Sequence, residues 1–301
     1  MSGRILLTGV TGQVGSELVR MLAHLGEIIA PGRVELDLAN TASLRERIRA
    51  VRPRWIVNPA AYTAVDKAES EPELAYAINT KAVQAIGEEA REIGAGVIHF
   101  STDYVFAGTG TAPYVETDTT GPVSVYGASK LAGEQELAAT DAGYMIFRTS
   151  WVYGSTGKNF LRTILKAARE RDRLRVVADQ HGAPTWSRDL ARMTARVIER
   201  VENQAAQKGW DKALREFSGI YHAAGTGETT WLGFAEEAIR RERKRDSEAK
   251  LAELDAISTA EYSTPAKRPA NSRLNCEKLA ERFGWKMMDW RDSLGEVMKE
   301  L

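Results

Sequence analysis

Arg4-Ile-Leu-Leu-Thr-Gly9-Val-Thr-Gly12-Gln-Val-Gly15 decides the fold. The apolar run from Arg4 to Thr8 reads as a short buried strand. Beyond the glycines, Leu18, Val19, Met21, Leu22 and Leu25 recur at helical spacing. Strand, glycine turn and helix in that order form the context of a dinucleotide fingerprint. Gly9, Gly12 and Gly15 let the backbone turn tightly and approach a pyrophosphate, whose charge meets the amides of the helix N-terminus. The spacing is G-x-x-G-x-x-G, so Gln13 and Val14 lie between the last two glycines.

Working outward, the alternation continues. Glu27–Ala30 reads as a second strand, Thr41–Arg52 as an amphipathic helix and Trp55–Asn58 as a third strand. A long helix is expected over Glu71–Ile93, a fourth strand over Gly96–Ser101 and a fifth over Tyr144–Arg148. This pattern predicts an α/β fold with a doubly wound, parallel, Rossmann-type sheet. Past Trp151 the pattern loosens. Helices are expected over Asn159–Arg171 and Asp189–Val201, a strand over Leu174–Val177, and two helices in the last thirty residues. Asn203–Phe217 reads as polar and peripheral. Residues 1–150 are therefore assigned to dinucleotide binding, with some later segments returning to that unit. Residues 151–301 form a smaller α/β substrate lobe.

The second strand ends without the acidic residue that an NAD site uses for the ribose 2′-hydroxyl, and Arg33 stands close by. A 2′-phosphate is thus expected to be welcome. Further along, Tyr126 and Lys130 are four apart, one turn of one helix face. An ammonium there favours the phenolate and suits the pair to passing a proton to a carbonyl oxygen.

The 41 basic and 41 acidic side chains cancel, leaving no global field for nucleic acid or anionic lipid. No apolar run is long enough for a membrane span, and no basic-then-apolar leader opens the chain. One cysteine, Cys276, rules out an internal disulfide and makes the cytoplasm the default compartment. Four histidines lie scattered without ligand spacing, so no metal site is assigned.

Together these residues resemble the extended short-chain dehydrogenases/reductases and, within them, the dTDP-4-dehydrorhamnose reductases. The likeness runs through Ala64-Val-Asp-Lys-Ala-Glu-Ser70, Ser101-Thr-Asp-Tyr104, Tyr126-Gly-Ala-Ser-Lys130, Phe147-Arg-Thr-Ser-Trp151 and Arg268-Pro-Ala-Asn-Ser-Arg273. The resemblance implies a catalytic triad of Thr102, Tyr126 and Lys130. It places Gly12, Gln13, Val14, Asp37, Leu38, Ala61, Tyr62 and Thr63 at the cofactor. Thr102, Asp103 and Trp151 fall at the nucleotide sugar. Arg268, in a stiff segment between Pro265 and Pro269, is a candidate for the substrate diphosphate. The implied reaction is hydride transfer from NADPH, or from NADH, to the C4 keto group of dTDP-4-dehydro-L-rhamnose. Some members dimerise through a carboxylate-bound magnesium near Gly182-Ala-Pro-Thr185. Here Trp186 and Arg188 follow that segment, so magnesium and a homodimer both stay open.

A 4,6-dehydratase would need an acidic residue at position 104, which is tyrosine. Two rivals remain at this stage: a nucleotide-sugar 4-epimerase and a non-catalytic NADP-binding regulatory subunit.

Overall fold

The computed structural model describes residues 3–301. Among them, six parallel strands form the central sheet: β1 (Arg4–Leu7), β2 (Glu27–Ile29), β3 (Trp55–Asn58), β4 (Gly96–Thr102), β5 (Gly143–Thr149) and β6 (Gly219–His222). Their order is β6-β5-β4-β3-β1-β2. The chain leaves β1 to one side for β2, then crosses to the other side for β3. Neighbouring loops therefore diverge at the carboxyl ends of β1 and β3, where open α/β sheets bind ligands.

Both faces of the sheet are covered, as strands apolar on both sides require. On one face the helix Gln13–Met21 packs against Ser187–Lys208, and Leu18, Leu22, Leu190, Val197 and Ile198 bury together. On the other, the helices Thr41–Val51, Ala82–Ile93 and Val125–Ala139 bury Leu44, Ile48, Ile86 and Leu137. A second core gathers Tyr153, Leu161, Trp186, Phe234, Trp290 and Leu294 beyond the sheet. Small strand pairs frame that region, including Arg173–Val177 with Glu253–Ile257.

Three expectations are corrected. Asn203–Phe217 is not peripheral: Trp210–Phe217 is a helix whose Ala213, Leu214 and Phe217 are buried. Residues 210, 213, 214 and 217 form one apolar stripe at helical spacing. Trp210 meets the Trp55 ring edge-on at 5.3 Å and donates to the Gly94 carbonyl at 2.6 Å. The helix expected over Asp189–Val201 runs from Ser187 to Lys208. The long helix before β4 is interrupted by a π-turn over Ala77–Lys81. That wider turn points Asn79 inward, where it bonds the Tyr62 amide at 2.8 Å and Ser129 Oγ at 3.0 Å.

Candidate active site

The glycine turn behaves as its residue types require. Gly9 has φ +59°, a conformation that disfavours a side chain, and its carbonyl accepts from the Gly12 amide at 2.9 Å. A Cβ on Gly15 would run into the Gly9 carbonyl, so only glycine lets helix and turn approach this closely. No side chain caps the helix that starts at Gln13. Its first amides therefore face the cavity with their partial positive charge.

That cavity has a volume of about 490 Å³ and sits at the carboxyl ends of β1, β3 and β4. Gly9, Gly12, Gln13, Val14 and Gly15 line one wall. Arg33, Asp37 and Leu38 line a second, and Ala61 and Thr63 a third. Tyr126 and Lys130 close the far end. Tyr62 is not among the residues that line it, and its hydroxyl donates to Glu71 at 2.7 Å.

Ser124 caps the helix Val125–Ala139 through the Gly127 amide at 3.2 Å, which presents Tyr126 in the first turn and Lys130 in the second. A buried ion pair anchors the same helix, Glu134 with Arg148 of β5 at 2.7–3.2 Å. Burial pushes the Tyr126 hydroxyl up to about 12, against the neighbouring Thr102 hydroxyl. The expectation that Lys130 lowers it is not met in this state. Lys130 Nζ turns inward instead, donating to the Phe100 carbonyl at 2.6 Å and lying 3.0 Å from His99 Nε2. Burial also brings Lys130 down to about 7, with Glu134 acting against it.

Thr102 ends β4, donates to Asp103 Oδ1 at 3.0 Å and accepts from the Tyr104 amide at 3.2 Å. Burial lifts the Asp103 carboxyl to about 6, opposed by the Ser272 and Thr102 hydroxyls. The Tyr104 ring meets Tyr126 edge-on at 5.5 Å. Arg268 lies beside the Tyr104 hydroxyl and pairs with Asp66 at 2.8 Å. Trp151 offers less free surface than expected, since Trp231 stacks on one face with centroids 3.7 Å apart.

Some residues at the cavity were not singled out from sequence. Gly157 and Lys158 line it from the loop before the helix Phe160–Glu170. Asn159 docks this loop on the glycine turn by donating to Gln13 Oε1 at 3.0 Å. The signal available was a lysine beside a glycine in a short loop. His99 has no ligand spacing to the other histidines, yet it stands three residues before Thr102 on one strand.

The carboxylate arrangement does not fit a magnesium ion. Arg188 Nε and Nη2 donate to both oxygens of Glu17 at 2.9 and 3.1 Å, and the guanidinium also pairs with Glu300. A cationic side chain thus fills the place between the two carboxylates. Among the described residues, no group of three or more His, Cys, Asp or Glu side chains could hold a metal.

A family described as RmlD substrate binding domain matches residues 3–301. The chain belongs to this family. It is 46% identical to a dTDP-4-dehydrorhamnose reductase of Escherichia coli (strain K12), covering 99% of this chain and 97% of that one. It is 44% identical to the dTDP-4-dehydrorhamnose reductase of Burkholderia thailandensis, covering 99% of both. A crystal structure of the reductase from Bacillus anthracis in complex with NADP superposes with a TM-score of 0.87, at 32% identity and over 100% of each chain. Family membership and this likeness agree with the doubly wound fold. Among the described residues, no helix is long and apolar enough to cross a membrane.

Proposed function

We propose that this chain is an NADPH-dependent reductase of the C4 keto group of dTDP-4-dehydro-L-rhamnose, giving dTDP-L-rhamnose. One observation carries the reading. A single cavity joins an uncapped glycine turn to Tyr126 and Lys130, in a chain 46% identical along its length to a dTDP-4-dehydrorhamnose reductase.

The residues present fit the cofactor. The amides after Gly12 would meet its pyrophosphate, and Arg33 a 2′-phosphate. When bound, the reduced nicotinamide supplies the hydride. As negative charge grows on the sugar carbonyl oxygen, Tyr126 delivers its proton there. The Thr102 hydroxyl gives a second hydrogen bond to the same oxygen. With its hydroxyl at about 12, Tyr126 is fully protonated at neutral pH and ready to donate. Lys130 binds a ribose hydroxyl and returns the proton to Tyr126. Asp103, Trp151 and Arg268 are assigned to the nucleotide sugar.

We assign residues 1–150 to cofactor binding and 151–301 mainly to the substrate, with β6 and the helix Ser187–Lys208 returning to the sheet unit. The single cysteine supports a cytoplasmic location. NADPH oxidation assayed with dTDP-4-dehydro-L-rhamnose beside GDP- and UDP-linked 4-keto sugars tests the reading. Stoichiometric oxidation with the dTDP sugar is expected. A 4-epimerase would interconvert sugars without consuming added NADPH, and a regulatory subunit would bind it without turnover; either result overturns the proposal.

A further inference from the structure

Four side chains form a buried chain from the cavity wall into the sheet. Thr8 Oγ1 donates to Asn58 Oδ1 at 2.5 Å, and Asn58 Nδ2 lies 3.1 Å from His99 Nδ1. His99 Nε2 lies 3.0 Å from Lys130 Nζ. Thr8, Asn58, His99 and Lys130 are each no more than 5% exposed, and the two inner members, Asn58 and His99, do not line the cavity, so the bond between them is shielded from water. The register of the sheet enforces the alignment, because Asn58 of β3 and His99 of β4 are direct cross-strand partners.

The donors run in one direction. Thr8 gives its proton to the amide oxygen of Asn58, so the amide nitrogen faces His99. That nitrogen can only donate, which makes His99 Nδ1 the acceptor. A neutral imidazole then carries its proton on Nε2, pointing at Lys130 Nζ. A doubly protonated ring is disfavoured, since burial alone holds His99 well below the ordinary histidine range. An ammonium has no lone pair to accept from Nε2–H, whereas a neutral amine does.

We propose that His99 is a positioning residue that holds Lys130 as the neutral amine in the cofactor-free chain, its Nε2–H donating to the lysine nitrogen. Lys130 keeps its bond to the Phe100 carbonyl in this arrangement. Other groups facing the pair do not oppose it strongly. Glu134, on the same helix, is the carboxylate that acts on Lys130, and it is already paired with Arg148 of β5. Tyr126 is protonated, and Ser129, beside Lys130 on the helix, and Asn79 of the π-turn, which bonds it, are neutral. Lowering of Lys130 by burial agrees with the assignment. The lysine would then become charged on loading, when the anionic cofactor arrives: one proton leaves the buffer, one N–H bond forms on Nζ, and the Nε2–H···Nζ hydrogen bond is given up as Nζ turns to the ribose hydroxyl.

Two measurements test this. The first needs neither cofactor nor turnover, so it stands apart from the reductase reading. Nitrogen-15 NMR of the imidazoles, with the His99 signals assigned by their loss in His99→Gln, is expected to show protonated Nε2 and bare Nδ1 at pH 8. The carbon-13 shift of Lys130 Cε is expected to report an uncharged amine at the same pH. The opposite tautomer, with Nδ1–H turned to an oxygen of Asn58, or a Lys130 still charged at pH 8, overturns the proposal. The second is calorimetry of NADPH binding at pH 8 in buffers of different ionisation enthalpy. Uptake of about one proton per site is expected from linkage. Binding without proton uptake also overturns it, whereas failure of NADPH to bind at all counts against the reductase reading and leaves the NMR result to decide.

Discussion

Arg268 Nη2 donates to Asp66 Oδ2 at 2.8 Å, across 202 positions of sequence. The contact closes the proline-flanked segment over the short helix Val65–Ala68. It also holds the guanidinium beside Tyr104, whose ring touches that of Tyr126.

Arg268→Ala is therefore expected to raise KM for the nucleotide sugar by one to two orders of magnitude, the scale of about 1.5–3 kcal/mol for a lost charged hydrogen bond. KM for NADPH should stay within a factor of two or so. Steady-state kinetics with each substrate varied in turn checks this. Two unchanged Michaelis constants would mean that the arginine serves only its pair with Asp66, a partly exposed bridge of small worth.

Tyr126→Phe keeps the ring and its contact with Tyr104 but removes the proton donor. Turnover should fall by at least ~100-fold, the scale of a lost general acid. NADPH affinity, read by its fluorescence, should change little. A variant within a few-fold of the parent rate would remove Tyr126 from the chemistry.

Arg33 lines the cavity beside Asp37 and makes no ion pair among the described residues. It is free to meet a 2′-phosphate. The parent chain should prefer NADPH over NADH in kcat/KM by roughly tenfold, about 1.4 kcal/mol. Arg33→Ala should erase that preference by weakening NADPH and leaving NADH alone. Equal loss for both cofactors would assign Arg33 to a shared part of the dinucleotide.

Arg188 joins Glu17 and Glu300 where a divalent ion would need a third carboxylate. Activity of the parent chain should be indifferent to EDTA. Arg188→Glu should lower Tm, because a neutralising charge becomes a third anion. Magnesium should then restore stability to the variant alone, by about 2.7 kcal/mol at a hundredfold excess over Kd. A parent chain that is itself stabilised by magnesium would show that the ion binds despite the arginine.

What could be read locally was determined by local physics. Strand and helix periods, the steric freedom of Gly9 and the one-turn spacing of Tyr126 and Lys130 are properties of short stretches, so the parallel fold, the glycine turn and that pair were legible along the chain, whereas Asp37, Leu38, Ala61 and Thr63 were reached only through family resemblance. Tertiary structure alone decided how those residues are used. β6 comes from Gly219–His222 and completes the sheet beside β5 through pairing that no local pattern encodes. Trp231 takes one face of Trp151, and Asn159 brings Lys158 to the glycine turn. Above all, the proton affinity of Lys130 is lowered by desolvation, opposed by Glu134, at a place where its amine meets His99 and Phe100 across the helix–sheet boundary. Spacing specifies which face a side chain occupies. Its proton affinity is set by every atom packed around it, and those atoms come from strands that only the folded chain brings together.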